Sequence, residues 1–330
     1  MKTSPFFIVG VQRSGTTLLR LLLNSHSEIA VPEEASFLKP LLKKKWIKDP
    51  ICGEKLEKMV NYLRKNEQFK LWNFDREPLL QEIENKSQVT IKEVMEIMYS
   101  SYASHESKSI WGDKSLFFSK MELIFQMFPK AKFIHIVRDG RDVFNSWRKM
   151  DQSMSNPSVM ALDWGLKTYL VEKSMQNIPK ENLLLIRYED LLNNPKQTLE
   201  SICKFINVGF EDKMLRFHQT SNKYIGKHHS DLIFKAIDNS NIKKWERLLT
   251  SKEKRIYQII SGRYLKKYGY DVSEKIKLKN WFEMFWDLLL GLPKRTLQLI
   301  KVRLAYRRAL YKGESTKTKV GQLPEEKSIY

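Results

Sequence analysis

Short apolar runs alternate with polar turns and helical segments along most of the chain. The runs cover residues 6–9, 109–114, 132–137 and 183–190. Each is too short for a helix and is rich in Val, Ile, Leu or Phe, which is typical of a buried strand. Helical segments follow these runs, and regular alternation of strands and helices predicts a mostly parallel sheet flanked by helices, an α/β fold.

The turn after the first run has the spacing of a phosphate-binding loop. The segment Pro5–Thr17 reads PFFIVGVQRSGTT, which fits G-x-x-x-x-G-K-[ST] except that Thr16 stands at the lysine position. That lysine reaches the β and γ phosphates of nucleoside triphosphates, so its absence disfavours magnesium-dependent ATP chemistry. The backbone N–H groups at the start of the next helix can still bind an anion, and Arg13 adds donors. We therefore predict a P-loop-like anion site.

Charged residues follow three of the other predicted strands or turns. Glu33 and Glu34 precede a predicted helix over residues 36–46, where they could balance the helix dipole or supply a general base. Lys114 ends the second strand, where ligands bind in open α/β sheets, or it forms a surface ion pair with Asp113. Arg138 ends the third strand and offers a forked donor suited to phosphate.

Two regions lack the alternation of short apolar runs and helical segments. Residues 35–107 predict a helical insertion, which we expect to cover the site and to use its aromatic residues as a small core. Residues 273–312 predict a basic amphipathic helical extension, followed by a disordered tail over 313–330. The first 272 residues are then one domain. Residues 281–312 could lie on an anionic membrane or pack against the core or a partner chain.

Composition narrows the classes of partner. With 330 residues and 42% hydrophobic content, the chain can bury one large core. The net charge of +20 favours acidic ligands: nucleotides, sulfated or phosphorylated substrates, nucleic acid or an anionic membrane.

Only two cysteines occur and no signal-peptide or transmembrane pattern is seen, so we expect a cytoplasmic protein. The adjacent His228 and His229 lack further spaced ligands, so we expect no metal.

Five motifs taken together resemble one enzyme family. The segments VGVQRSGTTLL, VPEE, GDKS, FIHIVRDGRDVFNSW and IRYEDLLNNP resemble sulfotransferases that use 3′-phosphoadenosine 5′-phosphosulfate (PAPS), especially the tyrosylprotein sulfotransferases and their bacterial relatives. The resemblance covers residues 5–271 and leaves the C-terminal helices unexplained. It implies a transferase that moves a sulfuryl group to a hydroxyl acceptor without a metal.

The resemblance also implies roles for individual residues. Glu34 corresponds to the general base, and Lys114 to a lysine that stabilises the transferring group with the help of Arg13. If Glu34 is not the base, Glu33 and His229 are the next candidates. The residues that the resemblance assigns to the cofactor are Arg13, Ser14, Gly15, Thr16 and Thr17 at the 5′-phosphosulfate, Arg138 and Ser146 at the 3′-phosphate, Tyr188 against the nucleotide, and Ser230, Lys235 and Lys244 in a cofactor-closing loop.

One departure from the family bears on localisation and acceptor. Secretory relatives carry a disulfide at the positions of Val31 and Gly112, together with a membrane anchor, and this sequence has neither. The departure favours a bacterial-type cytosolic enzyme and leaves carbohydrate, glycolipid, tyrosine and small-molecule acceptors open. Two other functions also stay open: a P-loop small-molecule kinase, and a basic protein that binds nucleic acid or a membrane surface. On the leading hypothesis no nucleic-acid partner is expected.

Overall fold

A computed structural model describes residues 4–42, 49–115, 119–150, 154–219 and 235–311. Ser230, His228, His229 and the predicted tail over 313–330 lie outside these ranges. The strands of the described chain are β1 (Phe6–Val9), β2 (Ile29–Ala30), β3 (Ile51–Cys52), β4 (Gln88–Val89), β5 (Ile110–Asp113), β6 (Lys132–Val137) and β7 (Leu183–Arg187).

Helices account for most of the remaining described residues. Short 3₁₀ turns occur at Ser36–Leu38, Phe69–Trp72, Lys180–Asn182, Asp212–Gln219 and Asn239–Asn241. The α-helices are α1 (Thr16–Asn24), α2 (Glu54–Lys65), α3 (Glu77–Glu84), α4 (Ile91–His105), α5 (Met121–Met127), α6 (Gly140–Met150), α7 (Pro157–Met175), α8 (Tyr188–Asn193), α9 (Pro195–Phe205), α10 (Lys244–Leu248), α11 (Ser251–Lys267) and α12 (Leu278–Tyr311). None of these helices is long and apolar enough to cross a bilayer.

The central sheet has five strands in the order β2-β5-β1-β6-β7. The pairs β2–β5, β5–β1 and β1–β6 are parallel, with Phe6 opposite both Gly112 and Lys132. All four residues of β1 are at most 2% exposed. Burying a large apolar side chain stabilises the fold by about 1.5–3 kcal/mol, so this strand contributes strongly to the core. The predicted α/β fold with a mostly parallel sheet is confirmed.

The first of two compact units contains this sheet and the insertion. Helices α2, α3 and α4 of the insertion surround an aromatic cluster, in which Phe69 packs edge-on against Trp72 and Trp72 contacts Tyr99. The aromatic residues therefore form the core of the insertion, as predicted. The ranges of the first unit are Met1–Gly10, Gly15–Ile136 and Val171–Asp238.

The second unit is helical and has its own core. Trp164 and Tyr257 are fully buried there, and Phe144 packs 5.6 Å from the Tyr257 ring between ring centres. Thr250 caps α11 because its hydroxyl accepts the Glu253 N–H while the Glu253 carboxylate accepts the Thr250 N–H. The ranges of this unit are Val11–Ser14, Val137–Leu170 and Asn239–Tyr330.

Three predicted element boundaries are wrong. The helix expected from Leu116 begins only after Lys120, whose φ of −122° is not helical. The helix expected over residues 36–46 is a 3₁₀ turn in its described part, because Pro40 has no N–H to continue a helical ladder. Tyr188 was expected to end a strand, but β7 ends at Arg187 and Tyr188 begins α8.

Candidate active site

The loop after β1 requires a glycine at position 15. Gly15 caps α1 with a left-handed φ of 93°, and a Cβ atom there would lie 2.3 Å from Cδ2 of Tyr188. Only a residue without a side chain fits both constraints. The ring of Tyr188, predicted from the family resemblance to lie against the nucleotide, therefore packs directly on the loop.

The loop has donors suited to an anion. Helix α1 has no acidic residue in its first turn and no side-chain cap, so the N–H groups at its start are not neutralised locally. Ser14 is 1% exposed, and within the described part of the chain its Oγ has no hydrogen-bond partner. A buried hydroxyl without a partner is costly, and a phosphate or sulfate oxygen would satisfy it. The loop therefore presents groups that suit the oxygen atoms of a phosphate or sulfate.

The sheet brings Glu34 and Lys114 together. Strands β2 and β5 pair in parallel, with Ile29 opposite Ile110, so the segments that follow them leave the same edge of the sheet. Lys114 Nζ lies 3.2 Å from Glu34 Oε2. The lysine is nearly buried, whereas about a quarter of the Glu34 side chain is exposed. Lys114 therefore pairs with Glu34 and not with Asp113, the partner that the sequence suggested as an alternative.

The surroundings of Glu34 favour its ionised form. Burial by itself would raise the pKa of this carboxyl, but the positive charges of Lys114 and Lys39 and a 2.5 Å hydrogen bond from Ser36 Oγ outweigh it. The net effect is a pKa below the ordinary value. Glu34 is therefore a carboxylate at neutral pH, the form that can accept a proton.

The neighbouring Glu33 is occupied by a different contact. The Arg20 guanidinium, which is almost buried, donates to Glu33 Oε1 at 2.7 Å and to the Val31 carbonyl at 3.4 Å. Trp72 Nε1 donates to the Glu33 backbone carbonyl at 2.8 Å. The two adjacent carboxylates thus have different contacts. Glu33 connects its own segment to Arg20 of α1 and to Trp72 of the insertion, whereas Glu34 forms an ion pair with Lys114.

A buried network that the sequence reasoning missed lies beside this ion pair. Asp113 accepts hydrogen bonds from the Tyr99 hydroxyl at 2.5 Å and from Ser115 Oγ at 2.7 Å. Burial raises the pKa of Asp113 to about 6, although these donors favour its ionised form. Ser115 Oγ in turn accepts the Ala35 N–H at 2.6 Å, so the network links the residue after Lys114 to the residue after Glu34.

In the second unit, four of the predicted cofactor residues form a chain of contacts. Arg13 Nε donates to Ser146 Oγ at 3.0 Å, and Arg138 Nη1 donates to the Arg13 carbonyl at 3.1 Å. Arg138 Nη2 donates to the Asn241 carbonyl at 2.9 Å, and the Asn241 side chain accepts from Lys244 Nζ. Asn241 was not predicted as a site residue, because a backbone acceptor leaves no mark in the sequence.

The turn that carries Arg138 is held rigidly. The buried Arg141 guanidinium pairs with Asp139 at 2.7 Å and stacks 3.4 Å from the ring centre of Trp245. The Trp245 N–H donates to Asp142 Oδ1 at 2.8 Å. Helix α10 is thereby fixed to α6, and with it the positions of Asn241 and Lys244. Of the other predicted residues, Thr16 is buried, Thr17 is half-buried and Lys235 is exposed.

The sheet order, the lysine-free glycine loop and the flanking helices define a P-loop-like α/β protein. A profile of the sulfotransferase family matches residues 5–212, and the chain belongs to this family. The expected family resemblance is confirmed.

Individual relatives agree with this assignment. Protein-tyrosine sulfotransferase A of Caenorhabditis elegans is 25% identical over 256 residues, which are 74% of this chain and 62% of the relative. The protein-tyrosine sulfotransferase of Drosophila melanogaster is 24% identical over 255 residues, 72% of this chain and 46% of the relative. This chain therefore spans less than two thirds of either relative.

Solved structures share the fold. The sulfotransferase domain of the Synechococcus PCC 7002 olefin synthase superposes with a TM-score of 0.57 at 20% identity, covering 82% of this chain and 96% of that domain. The sulfotransferase domain from the curacin biosynthetic pathway gives a TM-score of 0.52 at 21% identity and covers 82% of this chain and 99% of that domain. At these identities the likeness supports the fold alone.

Proposed function

We propose that the protein transfers a sulfuryl group from PAPS to a hydroxyl acceptor. Membership of the sulfotransferase family supports the reaction type. The observation that carries the proposal for this chain is the contact of Glu34 with Lys114, which pairs an ionised carboxylate with a nearly buried cation at the end of two parallel strands. A base and an electrostatic stabiliser are what this transfer requires.

Glu34 acts as the general base in this proposal. When the acceptor oxygen attacks, its proton must leave, and an ionised carboxylate within hydrogen-bond reach can accept it. The lowered pKa of Glu34 keeps it ready for this role at neutral pH. Glu33 is less suited because Arg20 already holds its carboxylate. His229 lies outside the described residues and remains the other alternative.

Lys114 stabilises negative charge, with Arg13 assisting. When bound, PAPS supplies the sulfuryl group: the acceptor oxygen bonds to sulfur, the bond from sulfur to the 5′-phosphate oxygen breaks, and adenosine 3′,5′-bisphosphate (PAP) leaves. Lys114 can turn one of its three donors toward the developing charge while it keeps Glu34 ionised. Positive charge from this strand end replaces the missing lysine of the loop.

Two further groups of residues would bind the two phosphate-bearing ends of PAPS. Ser14, Gly15, Thr16 and Thr17 would bind the 5′-phosphosulfate through the loop amides and hydroxyls. In addition, Arg138 and Ser146 would bind the 3′-phosphate. The Arg138 guanidinium now donates to two backbone carbonyls, and a phosphate offers it stronger, charge-assisted bonds. We also retain Tyr188, Ser230, Lys235 and Lys244 as proposed cofactor contacts.

An acceptor screen with PAPS labelled in its sulfuryl group tests the proposal. The two relatives described above are named for protein tyrosine, so a tyrosyl peptide is the first acceptor, followed by carbohydrate, glycolipid and small hydroxyl compounds. We expect label to move to at least one class in the wild type and not in Glu34→Gln. Transfer of phosphate from ATP with magnesium, or steeply salt-dependent nucleic-acid binding without any response to PAP, would reject the proposal.

A further inference from the structure

The helix α12 presents its apolar side outward. Within the second unit, Asn156 and Ser158 at the start of α7 hold the inner side: Asn156 Nδ2 donates to the Asp287 carbonyl at 2.9 Å, and the Ser158 N–H donates to Asp287 Oδ2 at 3.2 Å. A Cβ atom on Gly291 would lie 2.5 Å from Asn156, so the approach is close. The contacts on this inner side are thus made by polar groups and a glycine, and Met284 and Leu288 add half-buried apolar side chains to it.

The opposite face carries the large apolar residues, which we call the outer stripe. They recur at the i, i+3, i+4, i+7 and i+8 spacing of one helix side, a quarter to a half turn away from the inner residues. The stripe continues past Pro293 at Leu297, Ile300 and Leu304, which are also exposed. The exposed fractions of its first part are 60% for Phe282, 55% for Phe285, 58% for Trp286, 48% for Leu289 and 67% for Leu290.

A surface helix usually turns its apolar side toward the core, whereas most of the large apolar side chains of α12 are exposed. A contiguous row of exposed aromatic and leucine side chains marks an interaction surface, whereas isolated exposed apolar residues are ordinary. The charge of the same helix indicates what covers it. After Asp287 the helix has six basic residues and no acid through Tyr311. Their positions are Lys294, Arg295, Lys301, Arg303, Arg307 and Arg308.

We propose that α12 docks the protein on an anionic membrane surface, lying in the plane of the interface with the outer stripe among the headgroups and upper acyl chains. Tryptophan and phenylalanine beside a cationic segment are the composition of interfacial helices. Each basic residue near an anionic bilayer adds about fivefold to the affinity. A second copy of the chain fits less well, because two copies would bring their basic segments together at a net charge of +20 each.

Vesicle co-sedimentation of the full chain tests this inference. The probes are phosphatidylcholine vesicles with and without phosphatidylserine, at low and high salt. We expect binding only when phosphatidylserine is present. The variant Phe282→Ser, Phe285→Ser, Leu289→Ser should bind at least about tenfold more weakly, and the variant Arg307→Gln, Arg308→Gln should bind about 25-fold more weakly. Circular dichroism and thermal unfolding establish that each variant is folded.

A matched pair of single variants separates the stripe from general surface hydrophobicity. Leu289 and Leu185 are 48% and 52% exposed, and Leu185 lies on β7 in the first unit. Leu289→Ser should weaken vesicle binding about threefold, while Leu185→Ser should leave it unchanged. Equal losses from both variants, equal binding to neutral and anionic vesicles, or a wild-type dimer that ignores vesicles and dissociates in the triple variant would each overturn the inference.

Discussion

Lys114 Nζ lies 3.2 Å from Glu34 Oε2, although the two residues are 80 positions apart in the chain. The parallel pairing of β2 with β5 sets this contact, and Ser115 reinforces it by accepting the Ala35 N–H. Against the effect of burial, the charge of Lys114 lowers the pKa of the Glu34 carboxyl, and the lysine side chain itself is only 8% exposed. In the proposed mechanism, the base and the stabilising cation are therefore already in contact before any substrate binds.

Glu34→Gln should abolish turnover while leaving the affinity for PAP near that of the wild type. The amide keeps the shape of the side chain but cannot accept the proton, and loss of a general base lowers the rate by about 10²–10⁴-fold. Steady-state kinetics and calorimetry measure the two effects. Glu33→Gln is the control: it weakens the contact with Arg20, so its thermal stability should fall while turnover persists. If Glu33→Gln lost turnover and Glu34→Gln kept it, the two roles would be reversed.

Lys114→Met should move the acid limb of the kcat/KM profile to higher pH, by about one unit. In the wild type the lowered pKa of Glu34 keeps it ionised to a more acidic pH than usual, so activity is lost only as pH falls through that lowered value. Without the lysine charge, burial dominates and the pKa rises. The position of the limb, and not its height, is the diagnostic quantity. An unshifted limb would show that Lys114 does not set the ionisation of the base.

Tyr99→Phe should destabilise the protein more above pH 6 than below it. The pKa of Asp113 is raised to about 6, so its contribution to stability is present at low pH and is lost as pH rises through that value. The Tyr99 hydroxyl reduces this loss by donating to the ionised carboxylate. Its removal should cost about 2 kcal/mol above pH 6 and less below, measured by urea unfolding across pH. A pH-independent loss would mean that the hydroxyl does not support the ionised form.

Gly15→Ala should destabilise the fold by about 1–3 kcal/mol and weaken PAP binding. The added Cβ would meet the Tyr188 ring at 2.3 Å in a left-handed backbone conformation. Gly262→Ala is a matched control inside α11, where the nearest atom to a new Cβ is Gln258 Cγ at 3.6 Å. That variant should gain about 1 kcal/mol from helix propensity. Thermal unfolding and calorimetry compare the two, and a harmless Gly15→Ala would contradict the proposed loop geometry.

Sequence patterns were sufficient for features that depend on local spacing. The apolar runs located β1, β5, β6 and β7, because short runs rich in Val, Ile, Leu or Phe are typical of buried strands. Glu34 and Lys114 could be chosen because Glu34 precedes a predicted helix, Lys114 ends a predicted strand, and each matches a family motif. The sequence suggested only an ion pair of Lys114 with the neighbouring Asp113. The contact with Glu34 could not be deduced, because it depends on the order of the strands in the sheet.

Other features depend on packing that no local pattern encodes. Tyr99 reaches Asp113 only because α4 lies against β5, and Arg138 uses the backbone carbonyl of Asn241, which any residue type could provide. The periodicity of α12 predicted an amphipathic helix but not which side faces solvent. Gly291 and Asp287 decide this, because they allow the polar side to approach Asn156.

Calorimetric titration with PAP, beside ATP with magnesium, tests the central claim most directly. We expect the wild type to bind PAP and to show no magnesium-dependent affinity for ATP, because Thr16 replaces the lysine of the loop. Arg138→Ala should weaken PAP binding about a hundredfold by removing a forked phosphate donor. Arg148→Ala, which breaks an ion pair with Glu253 elsewhere on α6, should leave it within about twofold. Preference for ATP with magnesium, or intact PAP affinity in Arg138→Ala, would contradict the account.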